Sequence, residues 1–246
     1  HCEDLHLSGK GVVHEGIVST ELGLCGIPSA SEAAMVARDL LLAELTGARL
    51  HIAHVSAAES VRLIREAKAR GVRVSCEATP HHFALTEEAV RGFNTNAKMN
   101  PPLRSESDRQ AILAGLCDGT IDVIATDHAP HTIQDKEQEF DVAPFGVIGS
   151  ETALALTLST LVASGALPLK QAIAKLTSEP ARILKLPKGR IAEGADADLT
   201  IFDPDREWTV DAFGFASKSR NTPFHGWELK GGTVATIVAG KVVWEA

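Results

Sequence analysis

The hydrophobic and polar positions alternate along the first two thirds of the chain between β-prone runs and amphipathic helical stretches. The predicted strands are residues 49–55, 72–76 and 121–126, together with a strand expected to end at His1. The predicted helices are residues 31–45, 56–71, 105–119, 150–163 and 169–176. Strands and helices that alternate in this way predict parallel strands covered by crossover helices.

Two of the helices carry recognisable start signals. Ser56 is followed three residues later by Glu59, the spacing of a capping box, and the helix would bury an apolar face and end near Gly71. Ser105 and Asp108 repeat the spacing before the next predicted helix. Both helices are therefore expected to start at a serine cap.

The pattern changes after residue 188. Turn-rich residues 189–196 precede short β-prone runs separated by Gly, Asp and Pro. These runs are residues 197–202, 207–210, 233–238 and 241–244. We predict two domains: an α/β domain at residues 1–188 and a small β module at 189–246.

The composition restricts the class of protein. Of the 246 residues, 44% are hydrophobic and 23% are charged, which is typical of a globular protein. No apolar run approaches the roughly 18–20 residues that span a bilayer. The net charge of −8 and the absence of a basic run argue against binding to nucleic acid or to an anionic membrane. The four cysteines are widely spaced, which fits a reducing cytoplasm better than a disulfide framework.

The number of strands indicates an incomplete barrel. Residues 1–188 offer four strands, whereas a (β/α)₈ barrel has eight strands in about 250 residues. An open doubly wound sheet would carry a glycine-rich phosphate loop, and no such motif is found. The chain also begins at His1 rather than Met, so it is either processed or a piece of something longer. The predicted fold is the C-terminal half of a TIM-type barrel plus a β module.

Candidate catalytic side chains lie at the ends of these strands. His1 begins the chain, His54 ends one strand and Asp127 ends the most apolar one. The C-terminal ends of barrel strands meet on one face, where barrel enzymes carry their active sites. Two imidazoles and a carboxylate are ligand types of catalytic zinc. A satisfied core histidine and a turn-capping aspartate are the structural alternatives.

Five short sequence motifs make this pattern more specific. They are residues 1–4 (His-Cys-Glu-Asp), 50–56 (through His-Val-Ser), 76–82 (through Thr-Pro-His-His), 100–104 (Asn-Pro-Pro-Leu-Arg) and 125–131 (Ala-Thr-Asp-His-Ala-Pro-His). In this order they resemble the dihydroorotases of the amidohydrolase superfamily, of the bacterial type often associated with aspartate transcarbamoylase. Residues 177–184 and 194–199 extend the resemblance nearly to the end of the chain.

The resemblance implies an amidohydrolase composite fold, one or two zinc ions per site, and roles for individual residues. The implied metal ligands are His1, His54 and Asp127, with Asp127 also the catalytic acid and base. The implied substrate-binding residues are Asn100, His131, Phe145 and Gly146. The family's His-x-His motif, its substrate arginine, a further substrate asparagine and a fourth-strand aspartate would lie upstream of this chain.

The implied reaction is the reversible interconversion of N-carbamoyl-L-aspartate and L-dihydroorotate in de novo pyrimidine biosynthesis. Zinc would supply hydroxide at neutral pH, and Asp127 would move the proton to the leaving nitrogen. The implied partners are the small-molecule substrate, aspartate transcarbamoylase and further copies of the chain, in the cytoplasm. No nucleic acid or membrane is expected.

Three alternatives remain open. The first is another cyclic-amide hydrolase, such as an allantoinase or a hydantoinase/dihydropyrimidinase. The second is a non-catalytic dihydroorotase-like subunit of aspartate transcarbamoylase. The third is that these 246 residues alone are an inactive fragment, because half a barrel leaves two open sheet edges.

Overall fold

A computed structural model describes residues 1–246, which form two compact units. The first unit comprises residues 1–151 and 212–223, and the second comprises residues 152–211 and 224–246. The boundary at residue 188, which the sequence pattern indicates, remains a prediction about domains.

The first unit is built on parallel strands. Strand β1 (Val13–His14) pairs with β2 (Gly26–Ile27), and β3 (Leu50–Ile52), β4 (Val74–Ala78) and β5 (Val123–Ile124) form a second sheet in that order. The helices are α1 (Leu5–Ser8), α2 (Ile17–Leu22), α3 (Ser29–Thr46), α4 (Ala58–Ala69), α5 (Pro80–Ala84), α6 (Glu106–Asp118) and α7 (Ile133–Lys136). Short 3₁₀ turns lie at Glu87–Val90, Thr95–Ala97 and Ala212–Gly214. The predicted alternation of strand and helix is confirmed.

The longer helices pack side by side, α3 on α4 and α4 on α6. Helix α4 buries Val61, Ile64 and Ala67, spaced three residues apart, so these side chains share one helical face. Gly115 of α6 permits the close approach, because a Cβ there would lie 3.0 Å from the Ile121 side chain and 3.1 Å from that of Val61. The packing of α4 and α6 thus depends on a position without a side chain.

The start of α4 differs from the prediction. Its N-cap is Ala57 rather than Ser56, and the Ser56 hydroxyl instead donates a hydrogen bond to the buried carboxylate of Glu32. Glu59 binds Arg62 on the surface. The Ser56 capping box was therefore wrong, because a buried carboxylate 24 residues away competes for the hydroxyl. Helix α6 does begin as predicted, with Ser105 Oγ accepting the Asp108 N–H.

Two strands of the first unit are also shorter than predicted. Strand β3 ends at Ile52 rather than at residue 55, and β5 spans only two residues. Residues 1–4 form no strand, whereas β1 and β2 were not predicted. Two-residue strands have no measurable period in the sequence, so only the packed fold reveals them.

The second unit combines helices with an antiparallel sheet. Its helices are α8 (Ala153–Thr157), a π-helical turn (Leu158–Val162), α9 (Leu169–Leu176) and α10 (Ser178–Leu184). Strands β6 (Leu199–Thr209), β7 (Glu228–Val238) and β8 (Lys241–Glu245) form the sheet in that order. The two runs predicted at 197–202 and 207–210 are one strand with irregular pairing between them. Because β6 is an edge strand, it tolerates Pro204, which lacks an N–H.

Two further expectations concern the chain as a whole. None of the helices combines the length and the apolar character needed to span a membrane. The four cysteines form no disulfide.

Candidate active site

The chain turns sharply where the two central candidate residues lie. His54 has a φ of +37° and Asp127 a φ of +46°, both in the left-handed region that side chains rarely adopt. They follow β3 and β5 by two and three residues, respectively. Strain in a side-chain-bearing residue persists only when surrounding contacts enforce it, and such residues cluster at functional sites.

His1 and His54 lie side by side. Their ring centroids are 4.3 Å apart with an interplanar angle of 52°. His54 is buried, and its Nδ1 has no hydrogen-bond partner in the protein. A buried imidazole nitrogen without a partner costs free energy, unless a ligand occupies the position.

Asp127 belongs to the same electrostatic environment. Burial raises the pKa of its carboxyl group, and the nearby charge of Glu77 raises it further. His54 and the chain's N-terminus act in the opposite direction and favour the ionised carboxylate. The three candidate metal ligands are thus electrostatic neighbours, although they come from three distant parts of the sequence.

These residues fit zinc by the type of their donors, and the orphaned His54 Nδ1 offers a lone pair. The described residues contain no group of three or more His, Cys, Asp or Glu side chains arranged closely enough to hold a metal ion. The metal role of His1, His54 and Asp127 therefore remains a prediction.

Asn100 lies close to His1. The Asn100 amide donates a hydrogen bond to Glu3 Oε2 at 2.9 Å, and His1, Glu3 and Asn100 line one small pocket. A cis peptide bond joins Asn100 to Pro101. The structure thus brings one predicted substrate residue next to one predicted metal ligand.

The other three predicted substrate residues form a second group. His131 Nε2 lies 2.8 Å from the Phe145 carbonyl oxygen and donates to it, so Nδ1 is the ring's remaining acceptor when the ring is neutral. Gly146 has a φ of +151°, and a Cβ there would lie 2.7 Å from the His131 ring. Gly146 is therefore required for both its backbone conformation and the approach of His131.

Asn221 holds this group together and was missed in the sequence. Its amide donates to the Ala129 oxygen at 2.9 Å and to the Gly146 oxygen at 3.0 Å. Its Oδ1 accepts the His131 N–H at 3.1 Å. Asn221 is buried and lies 90 residues beyond His131, where no local pattern marks it.

A buried charged network supports the residues after His54. Glu32 accepts N–H groups from Ser56 and Ala57 at 3.1 and 3.0 Å, and the Arg104 guanidinium lies 3.8 Å from it. Arg104 also donates to Ser56 Oγ at 3.1 Å and to the Ile27 oxygen at 2.9 Å. Sequence reasoning assigned no role to Glu32 or Arg104, because a buried charge cannot be distinguished from a surface charge without the fold.

The neighbouring histidines have structural partners. His82 is buried, shares a hydrogen bond with the Thr79 hydroxyl and donates through Nε2 to the Pro101 oxygen. His81 packs on it with ring centroids 4.5 Å apart. His128 Nδ1 accepts the N–H groups of Gly149 and Ser150. His82 and His128 thus shape the loops around the site.

The family follows from the sequence as a whole. A model described as the amidohydrolase family matches residues 18–243. Since this match extends over most of the 246 residues, the chain belongs to the amidohydrolase family.

Curated relatives show which members of the family this chain resembles. The chain is 62% identical over 245 residues to the dihydroorotase of Pelotomaculum thermopropionicum, covering 100% of this chain and 57% of the relative. It is 57% identical to the dihydroorotase of Syntrophus aciditrophicus, with the same coverage. The chain thus resembles dihydroorotases and spans little more than half of their length.

Solved structures agree on the fold. The L-hydantoinase (dihydropyrimidinase) of Arthrobacter aurescens has a TM-score of 0.85 at 34% identity, covering 90% of this chain and 50% of that one. The D-hydantoinase (dihydropyrimidinase) of Thermus sp. has a TM-score of 0.88 at 28% identity, covering 100% of this chain and 56% of that one. The predicted fold class, part of an amidohydrolase barrel, is confirmed.

Proposed function

We propose that the complete protein containing this chain is a zinc-dependent cyclic amidohydrolase that interconverts N-carbamoyl-L-aspartate and L-dihydroorotate. The observation that carries the proposal is the identity of 62% across the whole chain to a dihydroorotase. The hydantoinases with similar structures are less similar in sequence, at 34% or below among those described above. The arrangement of His1, His54 and Asp127 supports the same reaction class.

Asp127 is the residue to which we assign proton transfer. In the hydrolytic direction, water adds to the ring amide carbon, the carbon–nitrogen bond breaks, and the nitrogen leaves with a proton. Asp127 accepts the proton from the attacking water and returns it to the leaving nitrogen.

Zinc is the cofactor that we propose, held by His1, His54 and Asp127 with ligands from residues outside this chain. When bound, it polarises the amide carbonyl and lowers the pKa of water to about 7. His54 presents a buried, unpaired Nδ1 for this purpose. One or two ions per site are compatible with these residues.

Substrate binding is assigned to Asn100, His131 and the Phe145–Gly146 backbone. Asn100 offers an amide at the pocket beside His1. His131 offers Nδ1 as an acceptor, because its Nε2 is committed to the Phe145 oxygen. These groups recognise the ring's N–H and carbonyl groups, and a cation for the substrate carboxylate comes from outside this chain.

The test is turnover by the complete reading frame with zinc supplied, using dihydroorotate, hydantoin, allantoin and dihydrouracil in parallel. We expect dihydroorotate to be hydrolysed at least about a hundredfold faster than the other rings, a difference typical of discrimination by polar contacts. Preference for hydantoin or dihydrouracil would instead favour the hydantoinase alternative, because a hydantoinase is among the solved structures with a similar fold. Folded, zinc-supplied protein that hydrolyses none of them would favour a non-catalytic subunit.

The cellular setting is also proposed. Reduced cysteines and an acidic chain fit a cytoplasmic enzyme of pyrimidine synthesis. The proposed partners are aspartate transcarbamoylase and further copies of the protein. Co-purification of the complete protein with transcarbamoylase tests the first of these.

A further inference from the structure

Two lysines hold the segment that contains Phe145 and Gly146. Lys98 Nζ donates to the Phe140 oxygen at 2.6 Å and to the Asp141 oxygen at 3.1 Å. Lys136 Nζ donates to the Pro144 oxygen at 2.9 Å and to the Gly146 oxygen at 3.1 Å. We call residues 140–146 the lysine-held segment.

Lys98 makes three further contacts with this segment. Its ammonium group lies 4.8 Å from the Phe145 ring centroid and 5.3 Å from that of Phe140, within cation–π range. Its backbone oxygen accepts the Gly146 N–H at 2.9 Å. Lys98 therefore fixes the orientation of the Phe145 ring and of the Gly146 peptide together.

Lys136 acts on the two peptide groups that flank the Phe145–Gly146 pair. Charge-assisted bonds to the Pro144 and Gly146 oxygens set the planes of these two peptide groups. The same charge polarises the peptide that carries the Phe145 N–H, which makes this N–H a stronger donor. The carbonyl oxygen of Phe145 accepts the His131 Nε2–H, so the same residue also contacts a side chain to which we assign substrate binding.

Holding a loop in this way is costly. Both lysines are buried, and burial lowers the pKa of each; the pKa of Lys136 falls to about 8, with the nearby charge of Lys98 contributing. Both ammonium groups are bound by backbone oxygens. An ordinary surface loop needs no buried charge, so the cost indicates a segment whose exact shape matters.

We propose that Lys98 and Lys136 are positioning residues that set the Phe145–Gly146 backbone for substrate binding, an inference that rests on the proposed function. Both ammonium groups bind backbone oxygens of the segment, so we assign them no direct part in the reaction. Loss of either should therefore weaken substrate binding more than it slows the reaction at Asp127.

The first test compares Lys136→Met, Lys98→Met and Lys136→Arg with the wild type in the complete, zinc-loaded protein. Lys68→Met is the matched control. Lys68 is half-buried and donates hydrogen bonds to the Asp122 carboxylate and the Gly119 oxygen, and it makes none to residues 140–146. We expect KM for dihydroorotate to rise about tenfold in both Met variants, with kcat within about threefold. Lys136→Arg should raise KM less than Lys136→Met does, because the guanidinium group can donate to both the Pro144 and the Gly146 oxygens.

The second test does not depend on turnover. Hydrogen–deuterium exchange of the peptide covering residues 139–147 should speed up in Lys136→Met and Lys98→Met, and stay unchanged in Lys68→Met. The Gly146 amide, bound to the Lys98 oxygen, is the most informative probe.

The outcomes separate the inference from the function it rests on. If the wild type lacks dihydroorotate turnover, the proposed function fails, while exchange still reports whether the lysines hold the segment. If the wild type is active and the Met variants keep both KM and exchange, the positioning role is refuted. A fall in kcat with unchanged KM would also overturn it, as would equal effects of Lys68→Met.

Discussion

At the residue scale, His54 and Asp127 both have a strained backbone conformation. Only five non-glycine residues have positive φ, and two of them are these candidate ligands. Such a conformation costs on the order of 1–3 kcal/mol, less for an aspartate, which tolerates it better.

Asp127→Asn separates chemistry from folding. Asparagine also tolerates positive φ and keeps nearly the same shape, so we expect thermal unfolding of the complete protein to change little. Turnover should fall by about 10²- to 10⁴-fold, because the amide cannot carry the proton. The control is Asp122→Asn, whose carboxylate binds Lys68 and the Cys76 N–H. Activity of Asp127→Asn equal to that of this control would refute the proton-transfer role.

Asn221→Ala tests the residue that the sequence did not reveal. Three hydrogen bonds are lost and the Ala129 oxygen loses a donor, so we expect about 2–4 kcal/mol of destabilisation in thermal or urea unfolding. Asn94→Ala, which removes a half-buried cap, should cost about 1 kcal/mol. Equal losses in the two variants would mean that Asn221 does not clamp the loops.

At the scale of elements, the Glu32–Arg104 pair ties α3 to the turns after β3 and before α6. The pair is almost fully buried, with side-chain exposures of 4% and 2%, so bulk water solvates neither charge. This is the physical reason why Ser56 serves Glu32 instead of capping α4. Local capping rules succeeded at Ser105, because the carboxylate that accepts its hydroxyl proton belongs to Asp108, the same residue whose N–H the Ser105 oxygen accepts.

Removing one partner of the pair should be worse than removing both. Arg104→Met is expected to lower the unfolding free energy by about 3–5 kcal/mol, because it leaves the buried Glu32 carboxylate without an opposite charge. The double variant Glu32→Gln/Arg104→Met should cost less than the sum of the two single variants. Arg65→Met, which breaks an exposed pair with Asp118, should cost about 1 kcal/mol or less. Additive single losses would show that the two charges are not coupled.

At the scale of the whole molecule, buried neutral histidines make stability depend on pH. Burial lowers the pKa of His82 from 6.5 to about 4. Between these values the unfolded chain binds a proton that the folded chain does not, so stability falls as the pH drops from about 6.5 to 4. For His82 alone the full loss is about 3 kcal/mol, because each pKa unit corresponds to about 1.36 kcal/mol.

Unfolding temperatures of the wild type and His82→Asn between pH 7 and 4 check this sign. The variant should be less stable at pH 7, because it loses the Thr79 and Pro101 contacts, but its stability should fall less steeply with acid. His6→Asn, at an exposed position, should keep the wild-type slope. Identical slopes in all three proteins would rule out His82 as a source of the acid sensitivity.

The partial barrel leads to a prediction about residues 1–246 in isolation. The relatives extend well beyond this chain, and no three-ligand group is assembled within it. We therefore expect the isolated chain to bind zinc weakly and to hydrolyse dihydroorotate at least about a hundredfold more slowly than the complete protein. Zinc titration and turnover of both proteins provide the measurement, and comparable activity would contradict the half-barrel interpretation.

The sequence by itself determined the alternation of strands and helices, the buried face of α4, and the motifs that mark the family. These are local properties, set by side-chain periodicity and by residue identity. Only the tertiary structure decided that Ser56 serves Glu32, that two short strands precede β3, and that Asn221, Lys98 and Lys136 hold the Phe145–Gly146 backbone. Such contacts join residues 8 to 90 or more positions apart. Their free energy depends on burial and on hydrogen-bond partners, which exist only once the chain has folded.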